Sequence, residues 1–323
     1  MNFFFLLILT MFAAAGVYAI FARDLSGARA RLAGRSQTID TSLGILEYAM
    51  VGDGEPALII HGAGGGFDQA IDTAEILSGR GYRLIAPSRF GYLGSPLPTD
   101  PVTVRQADAY AELLDRLGIS AAFVLAISAG AWSAMQFTIR HPQRCRALVL
   151  LVPAESLPAG TRNHGGALVR AIFASDFAAW AALKLMQLLP GAMARTMLGT
   201  DPFLVSAAEP DERARVREVL DHLLPVSLRS RGMQFDIRTA ATPESYPIER
   251  ILCPVLAVSA EDDRFGTAAR ARQIAAMAPN GRAVIYPTGG HALVGRYSEA
   301  LSEITSFLAE NARPTPRKGS DRE

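Results

Sequence analysis

The sequence predicts an α/β fold: a mostly parallel sheet flanked by helices, with a helical insertion and an apolar helix at the N-terminus. Three observations predict it. Short, wholly apolar runs alternate with amphipathic stretches through most of the chain, the pattern of repeated βα units whose strands are buried on both faces. From Pro153 to Pro247 that rhythm gives way to helical sequence. From Phe3 to Ala22 there is no charged residue, and about 20 such residues span a bilayer.

The elements follow in order. The Phe3–Ala22 run reads as an uncleaved single-pass membrane anchor. A cleaved secretory signal would carry a basic start, a shorter apolar stretch and a small-residue cleavage site, and Val17-Tyr18-Ala19 is only a weak one. Arg23, Arg29, Arg31 and Arg35 follow the run, so the excess of positive charge is expected to keep the C-terminal side of the anchor cytoplasmic. Residues 23–37 read as a juxtamembrane linker, helical in part. Gly44 to Val51 reads as an early antiparallel strand, Ala57 to Ile60 as a short apolar strand, Phe67 to Ser78 as a helix and Arg83 to Ala86 as a strand. Thr103 to Leu117 is an amphipathic helix stopped by Gly118, and Ala121 to Ile127 a fully buried strand. Ala129 to Arg140 is a helix that ends at His141-Pro142, and Ala147 to Val152 is a further buried strand. After the insertion come a strand Val255 to Ser259, a helix Thr267 to Ala278, a strand Ala283 to Tyr286 and a helix Tyr297 to Glu310. The expected organisation is an anchor (1–22), a linker (23–37), a core (38–152 and 248–310), a helical cap (153–247) and a disordered tail (311–323).

Composition narrows the partners. The 323 residues are half hydrophobic, enough for one large core. With 32 Lys and Arg against 31 Asp and Glu, no overall field draws the chain to nucleic acid. Cys145 and Cys253 are far apart in sequence and lack metal-ligand spacing, so they read as small buried apolar residues, with neither a metal nor a disulfide framework implied.

Three segments carry chemistry. Ala126-Ile127-Ser128-Ala129-Gly130 stands between a buried strand and a helix, where a tight turn flanked by small residues holds a serine hydroxyl exposed at a helix N-terminus. Ala126 replaces the usual first glycine. The Ala129 amide is placed to stabilise an oxyanion. A small-Ser-small triplet also serves as a helix N-cap. His61-Gly62-Ala63-Gly64-Gly65-Gly66 follows another strand, so its backbone amides can approach a ligand, and its position fits the second half of an oxyanion hole. The loop has neither dinucleotide nor P-loop spacing, and His61 reads as structural. Thr288-Gly289-Gly290-His291 follows the last strand, while Ala260-Glu261-Asp262-Asp263 ends another, at the sheet edge where open α/β sheets collect their sites.

The joint order of these motifs from Thr38 to Glu310 resembles the α/β-hydrolase fold family with an inserted cap. Arg89-Phe90-Gly91-Tyr92-Leu93-Gly94-Ser95 resembles the family's basic-glycine turn, here lengthened, and Asp263-Arg264-Phe265 resembles the acid turn of its carbon-carbon bond hydrolases. The resemblance implies Ser128 as nucleophile, His291 as base, and Asp263 as acid with Asp262 as the alternative. It also implies an oxyanion hole from Ala63 and Ala129, with Gly64 as the alternative loop donor, and no metal or organic cofactor. A serine at the turn sets the chain apart from epoxide hydrolases and haloalkane dehalogenases, which carry aspartate there. The expected substrate is a small apolar acyl compound or ester; the apolar helical surface of the cap (Phe173, Phe177, Trp180, Leu183, Met186, Leu188 and Leu189) is expected mainly to pack the cap on the core, with some of these residues lining a pocket. Carbon-carbon bond cleavage or lyase chemistry on the same fold, and a non-catalytic anchored binding protein, are the alternatives.

Overall fold

The computed structural model describes residues 3–156, 172–188, 194–195, 198–242 and 246–312. The strands are β1 (Gln37–Thr41), β2 (Gly44–Val51), β3 (Glu55–Ile60), β4 (Tyr82–Pro87), β5 (Ala122–Ile127), β6 (Cys145–Leu151), β7 (Val255–Ala260) and β8 (Gly281–Tyr286). They form one eight-stranded sheet in the order β1-β2-β4-β3-β5-β6-β7-β8. β1 and β2 pair antiparallel, as do β2 and β4, and all other pairs are parallel.

The helices are α1 (Phe3–Leu32), α2 (Phe67–Ser78), α3 (Thr103–Arg116), α4 (Gly130–Arg140), α5 (Asp176–Leu188), α6 (Pro202–Ala207), α7 (Pro210–Asp221), α8 (Ser230–Ala241), α9 (Thr267–Met277) and α10 (Tyr297–Glu310). The alternation of strand side chains explains the two outer layers. In β3, Leu58 and Ile60 face the layer that holds Tyr110 and Leu113 of α3, Met135 and Phe137 of α4, and Ile274 of α9. Ala57 and Ile59 face the opposite layer, with Ile71 and Leu77 of α2 and Ile304 and Phe307 of α10. Each such large buried side chain contributes about 1.5–3 kcal/mol of transfer free energy, and this double burial is why the strands read as continuous apolar runs.

The structure departs from the sequence reading in several details. β1 was not foreseen: QTIDT offers one large apolar residue, and the strand exists because it pairs along its length with β2 at the sheet edge. β3 and β8 each begin two residues earlier than their apolar runs, at Glu55 and Gly281, because the ladder continues past the buried portion. Residues 23–32 continue α1 without a break. α1 is long and apolar enough to cross a membrane by length and composition. Cys145 and Cys253, distant in sequence, place their sulfurs 3.5 Å apart at the starts of the neighbouring strands β6 and β7, both as free thiols. Between β6 and β7 the described residues are helical, comprising α5 to α8 and short 3-10 turns. Residues 167–171 and Leu189 of the apolar stretch Ala167–Leu189, with the Pro190-Gly191 break, the Met186 side chain and tail residues 313–323, lie outside the described residues.

Candidate active site

Topology decides where the site forms. Strand order reverses between β3 and β5, which are neighbours, so the loops leaving their C-terminal ends diverge and open a crevice. The glycine-rich loop leaves β3 at Ile60 and the turn at Ser128 leaves β5 at Ile127, with Ile60 paired to Ala126. Asp263 follows β7 and His291 follows β8, the next strands on the same edge.

Ser128 has φ 48°, a left-handed conformation costly for a residue with a Cβ. It is held there by its own N–H, which donates to Leu151 O at 2.9 Å, and by its carbonyl, which accepts from Ala131 and Ala154 at 3.0 and 3.1 Å. Gly130 must be glycine: a Cβ there would stand 2.7 Å from the carbonyl oxygens of both Ile60 and His61. The first small position makes no comparable demand, and Ala126 is accommodated fully buried.

His291 Nε2 lies 3.0 Å from Ser128 Oγ, and its Nδ1 lies 2.8 Å from Asp263 Oδ2. The Asp263 carboxylate is fixed further by the Phe265 N–H at 2.9 Å on Oδ1 and by the Thr267 hydroxyl on Oδ2. Thr267 in turn meets Ser259 Oγ at 2.6 Å. Phe265 stands edge-on to the imidazole with ring centroids 4.8 Å apart. Asp262 is placed differently: its carboxylate accepts the N–H groups of Gly290 at 2.8 Å and Gly289 at 3.3 Å and so shapes the turn that presents His291. Gly290 takes φ +60°, a left-handed turn that glycine adopts without strain.

The two candidate loop donors also separate. Gly64 N–H donates to Tyr92 Oη at 3.2 Å, whereas the N–H groups of Ala63 and Ala129 make no hydrogen bond among the described residues. His61 is a buried brace. Its Nδ1–H donates to Gly62 O at 2.7 Å, and its Nε2 accepts the Arg89 N–H at 2.9 Å, which together require the neutral ring. Burial, with Arg89 and Arg229 nearby, holds its pKa well below the usual histidine value.

A sign follows for stability. The unfolded chain takes up the His61 proton near pH 6.5 while the folded chain resists it, so His61 leaves stability intact above about pH 6.5 and erodes it as pH falls below. His61→Asn is expected to flatten the acid limb of unfolding free energy against pH by up to one proton, roughly 1.4 kcal/mol per pH unit. Urea titrations of both proteins at stepped pH check this; parallel slopes would refute it.

Two buried ion pairs, unforeseen from sequence, brace the glycine loop from the helical insertion. Arg89, in the loop after β4, pairs with Asp236 of α8 through both guanidinium nitrogens at 2.7 Å and donates to Gly62 O at 3.0 Å. Arg229, just before α8, meets Asp68 of α2 at 2.8 Å and donates to Gly65 O at 2.5 Å. Tyr92 donates to Asp236 at 2.5 Å, and burial pushes its phenol pKa well up. The partners lie 147 and 161 residues apart, and only the fold joins them.

Ser128 and His291 open on a cavity of about 280 Å³ lined by Phe173, Leu198, Val219, Leu220, Leu223 and Phe265, with Ala63 at its edge. Its lining is mainly apolar, as suits an organic acyl group. Among the described residues, Asp72, Glu218 and His222 bring potential metal-ligand atoms within 4.8 Å of one another. Asp72 is already engaged by His222 Nε2 and by Arg35, each at 2.8 Å, so the group acts as an ion-paired seam between α2, α7 and the end of the α1 region.

The geometry has counterparts among known proteins. A family model for the alpha/beta hydrolase fold matches residues 56–295. The chain is 28% identical over 235 residues to the uncharacterized hydrolase YcgS of Bacillus subtilis, covering 69% of this chain and 79% of that protein. It is 25% identical over 272 residues to the 2-hydroxy-6-oxo-6-phenylhexa-2,4-dienoate hydrolase of Burkholderia cepacia, covering 80% and 89%. Among solved structures, an alpha/beta hydrolase fold protein from Nakamurella multipartita superposes with a TM-score of 0.68 at 26% identity, covering 86% of this chain and all of that one.

Proposed function

Because the chain belongs to the alpha/beta hydrolase fold family, we propose that it is a serine hydrolase of carboxylic esters or similar acyl substrates, working through Ser128, His291 and Asp263. One observation carries the reading: an unbroken hydrogen-bonded relay of 3.0 and 2.8 Å ends on a strained serine facing an apolar cavity. His291 Nε2 takes the hydroxyl proton as Ser128 Oγ attacks the carbonyl carbon, and Asp263 orients the ring and stabilises its charged form. The Ala63 and Ala129 amides hold the oxyanion. The proton then passes from His291 to the departing alcohol oxygen. Water, deprotonated by His291, attacks the acyl-serine ester and releases the acid, so ester and water become alcohol and acid. Asp262 is a positioning residue for the His291 turn. The apolar part of α1 serves as a single-pass anchor with the catalytic domain cytoplasmic, and the insertion acts as the substrate-selecting cap.

Carbon-carbon bond hydrolysis is the second reading, favoured by the similarity to a dienoate hydrolase and by the Asp263-Arg264-Phe265 turn. The full chain in detergent is expected to form a covalent fluorophosphonate adduct mapping to Ser128 and to turn over 4-nitrophenyl butyrate with an acyl-enzyme burst. Faster turnover of a vinylogous diketone than of any ester tried would move the assignment to the second reading. Absence of the adduct in folded protein would defeat both.

A further inference from the structure

We propose that α5, the helix of the insertion beside α1, lies in the headgroup region of the bilayer, and that the Ser128 site takes its acyl ester from the membrane rather than from water. The proposal rests on the serine-hydrolase reading and names its substrate class: a membrane-resident ester with an aliphatic acyl chain.

The first argument is level. The uncharged run Phe3–Ala22, at 1.5 Å per residue, is about as long as a bilayer's hydrocarbon core is thick. Phe21 therefore marks its boundary, and Arg23 is the first charge beyond it. At that level α1 docks on α5. The Phe21 ring lies 5.2 Å from Phe177 and 5.5 Å from Trp180. Trp180 Nε1 donates to Asp24 at 3.1 Å, and Lys184 pairs with Asp24 at 3.0 Å. One turn further, Ala28 is buried and Arg31 donates to Asp221 O at 2.7 Å, so the contact is packed rather than tethered.

The second argument is the exposed face. Phe177, Lys184 and Leu188 recur along one side of α5, with Leu185 beside them. Phe177 is 45% exposed, Leu185 59% and Leu188 77%. Exposed apolar side chains, next to an exposed Arg23 and Arg29 and with Lys184 held by Asp24 at the same level, have the composition of a helix lying on a headgroup layer.

The third argument is continuity. Phe21, Ala28, Trp180, Leu183, Phe173, Leu220 and Leu223 belong to one apolar cluster. Phe173, Leu220 and Leu223 of that cluster also line the cavity above Ser128. An acyl chain leaving the bilayer beside α5 thus meets apolar side chains on its way to the nucleophile.

The test uses the full chain in vesicles of phosphatidylcholine and phosphatidylglycerol. Lipid brominated near the top of its acyl chains is expected to quench tryptophan fluorescence more than lipid brominated near the chain ends, and Trp180→Phe is expected to remove the quenched component, leaving buried Trp132. Leu185→Asp with Leu188→Asp is expected to lower turnover of vesicle-borne monooleoylglycerol by roughly tenfold, the scale of losing two interfacial leucines, while 4-nitrophenyl butyrate turnover stays within about twofold of wild type. Absence of Trp180-dependent quenching overturns the docking of α5, whatever the activity. Quenching with monooleoylglycerol turnover unchanged in the double variant overturns delivery from the bilayer. A wild type inactive on both esters overturns the substrate class through failure of the Ser128 reading, and the quenching then decides the docking alone.

Discussion

Ser128→Ala is expected to lower kcat for 4-nitrophenyl butyrate by about 10⁴- to 10⁶-fold with the fold intact, because removing the nucleophile removes the acyl-enzyme route and leaves only binding and the oxyanion donors. The substitution deletes one oxygen at a strained position, so circular dichroism and the thermal midpoint should be unchanged or slightly improved. The two aspartates are expected to part company in the same assay. Asp263→Asn keeps the shape but presents an amide to His291 Nδ1, favouring the wrong tautomer, and a loss of about 10⁴ is expected. Asp262→Asn keeps an acceptor for the Gly289 and Gly290 amides, and a loss within tenfold is expected, the scale of one weakened hydrogen bond. Retention of more than a hundredth of wild-type kcat by Ser128→Ala would remove the serine mechanism, and equal losses at both aspartates would remove the division of labour between them.

Asp236→Ala is expected to destabilise the folded chain by about 3–5 kcal/mol, the cost of leaving a buried guanidinium without its carboxylate. Arg89 and Asp236 side chains are only 3% and 6% exposed, and the same carboxylate also accepts the Tyr92 hydroxyl. Replacing both partners, Arg89→Met with Asp236→Leu, is expected to recover most of the loss, because an apolar pair leaves no buried charge. Urea unfolding in detergent of wild type, Arg89→Met, Asp236→Leu and the double variant, analysed as a double-mutant cycle beside Asp236→Ala, measures this. Additive losses would show that the pair is uncoupled. The surviving fraction of Asp236→Ala should also have lower kcat, since Arg89 holds Gly62 O and Tyr92 holds the Gly64 amide.

What could be read from sequence follows the range of each interaction. The strands flanking Ser128 were legible because burial on both faces leaves apolar runs with no polar interruption, and the positions of Ser128 and His291 were legible because each follows a strand end beside small residues. The choice of Asp263 over Asp262 rests on the resemblance of Asp263-Arg264-Phe265 to the family's acid turn, since one residue of register reverses which carboxylate meets the imidazole. Thr267, four residues after Asp263 at the start of a helix, gave no more signal than any helix-opening threonine. The Arg89–Asp236 and Arg229–Asp68 pairs were illegible for a different reason: charged residues in amphipathic stretches normally face water, and only the placing of α8 over the glycine loop buries these. β1 escaped notice because an edge strand needs little apolar content.

The two free thiols at the opposite edge of the sheet offer a test of the cytoplasmic placement proposed for the domain. Cys145 and Cys253 are separated by 108 residues, a stretch that contains the whole insertion, and their sulfurs stand 3.5 Å apart. Exchange with an oxidised small-molecule disulfide would join them and close a loop of that size, limiting the unfolded ensemble by about 4–5 kcal/mol in chain-entropy terms. A glutathione-reduced compartment would keep them as thiols. Alkylation of protein taken directly from cells, with and without prior reduction, therefore tests the proposed cytoplasmic placement: free thiols are expected, and a disulfide would overturn it.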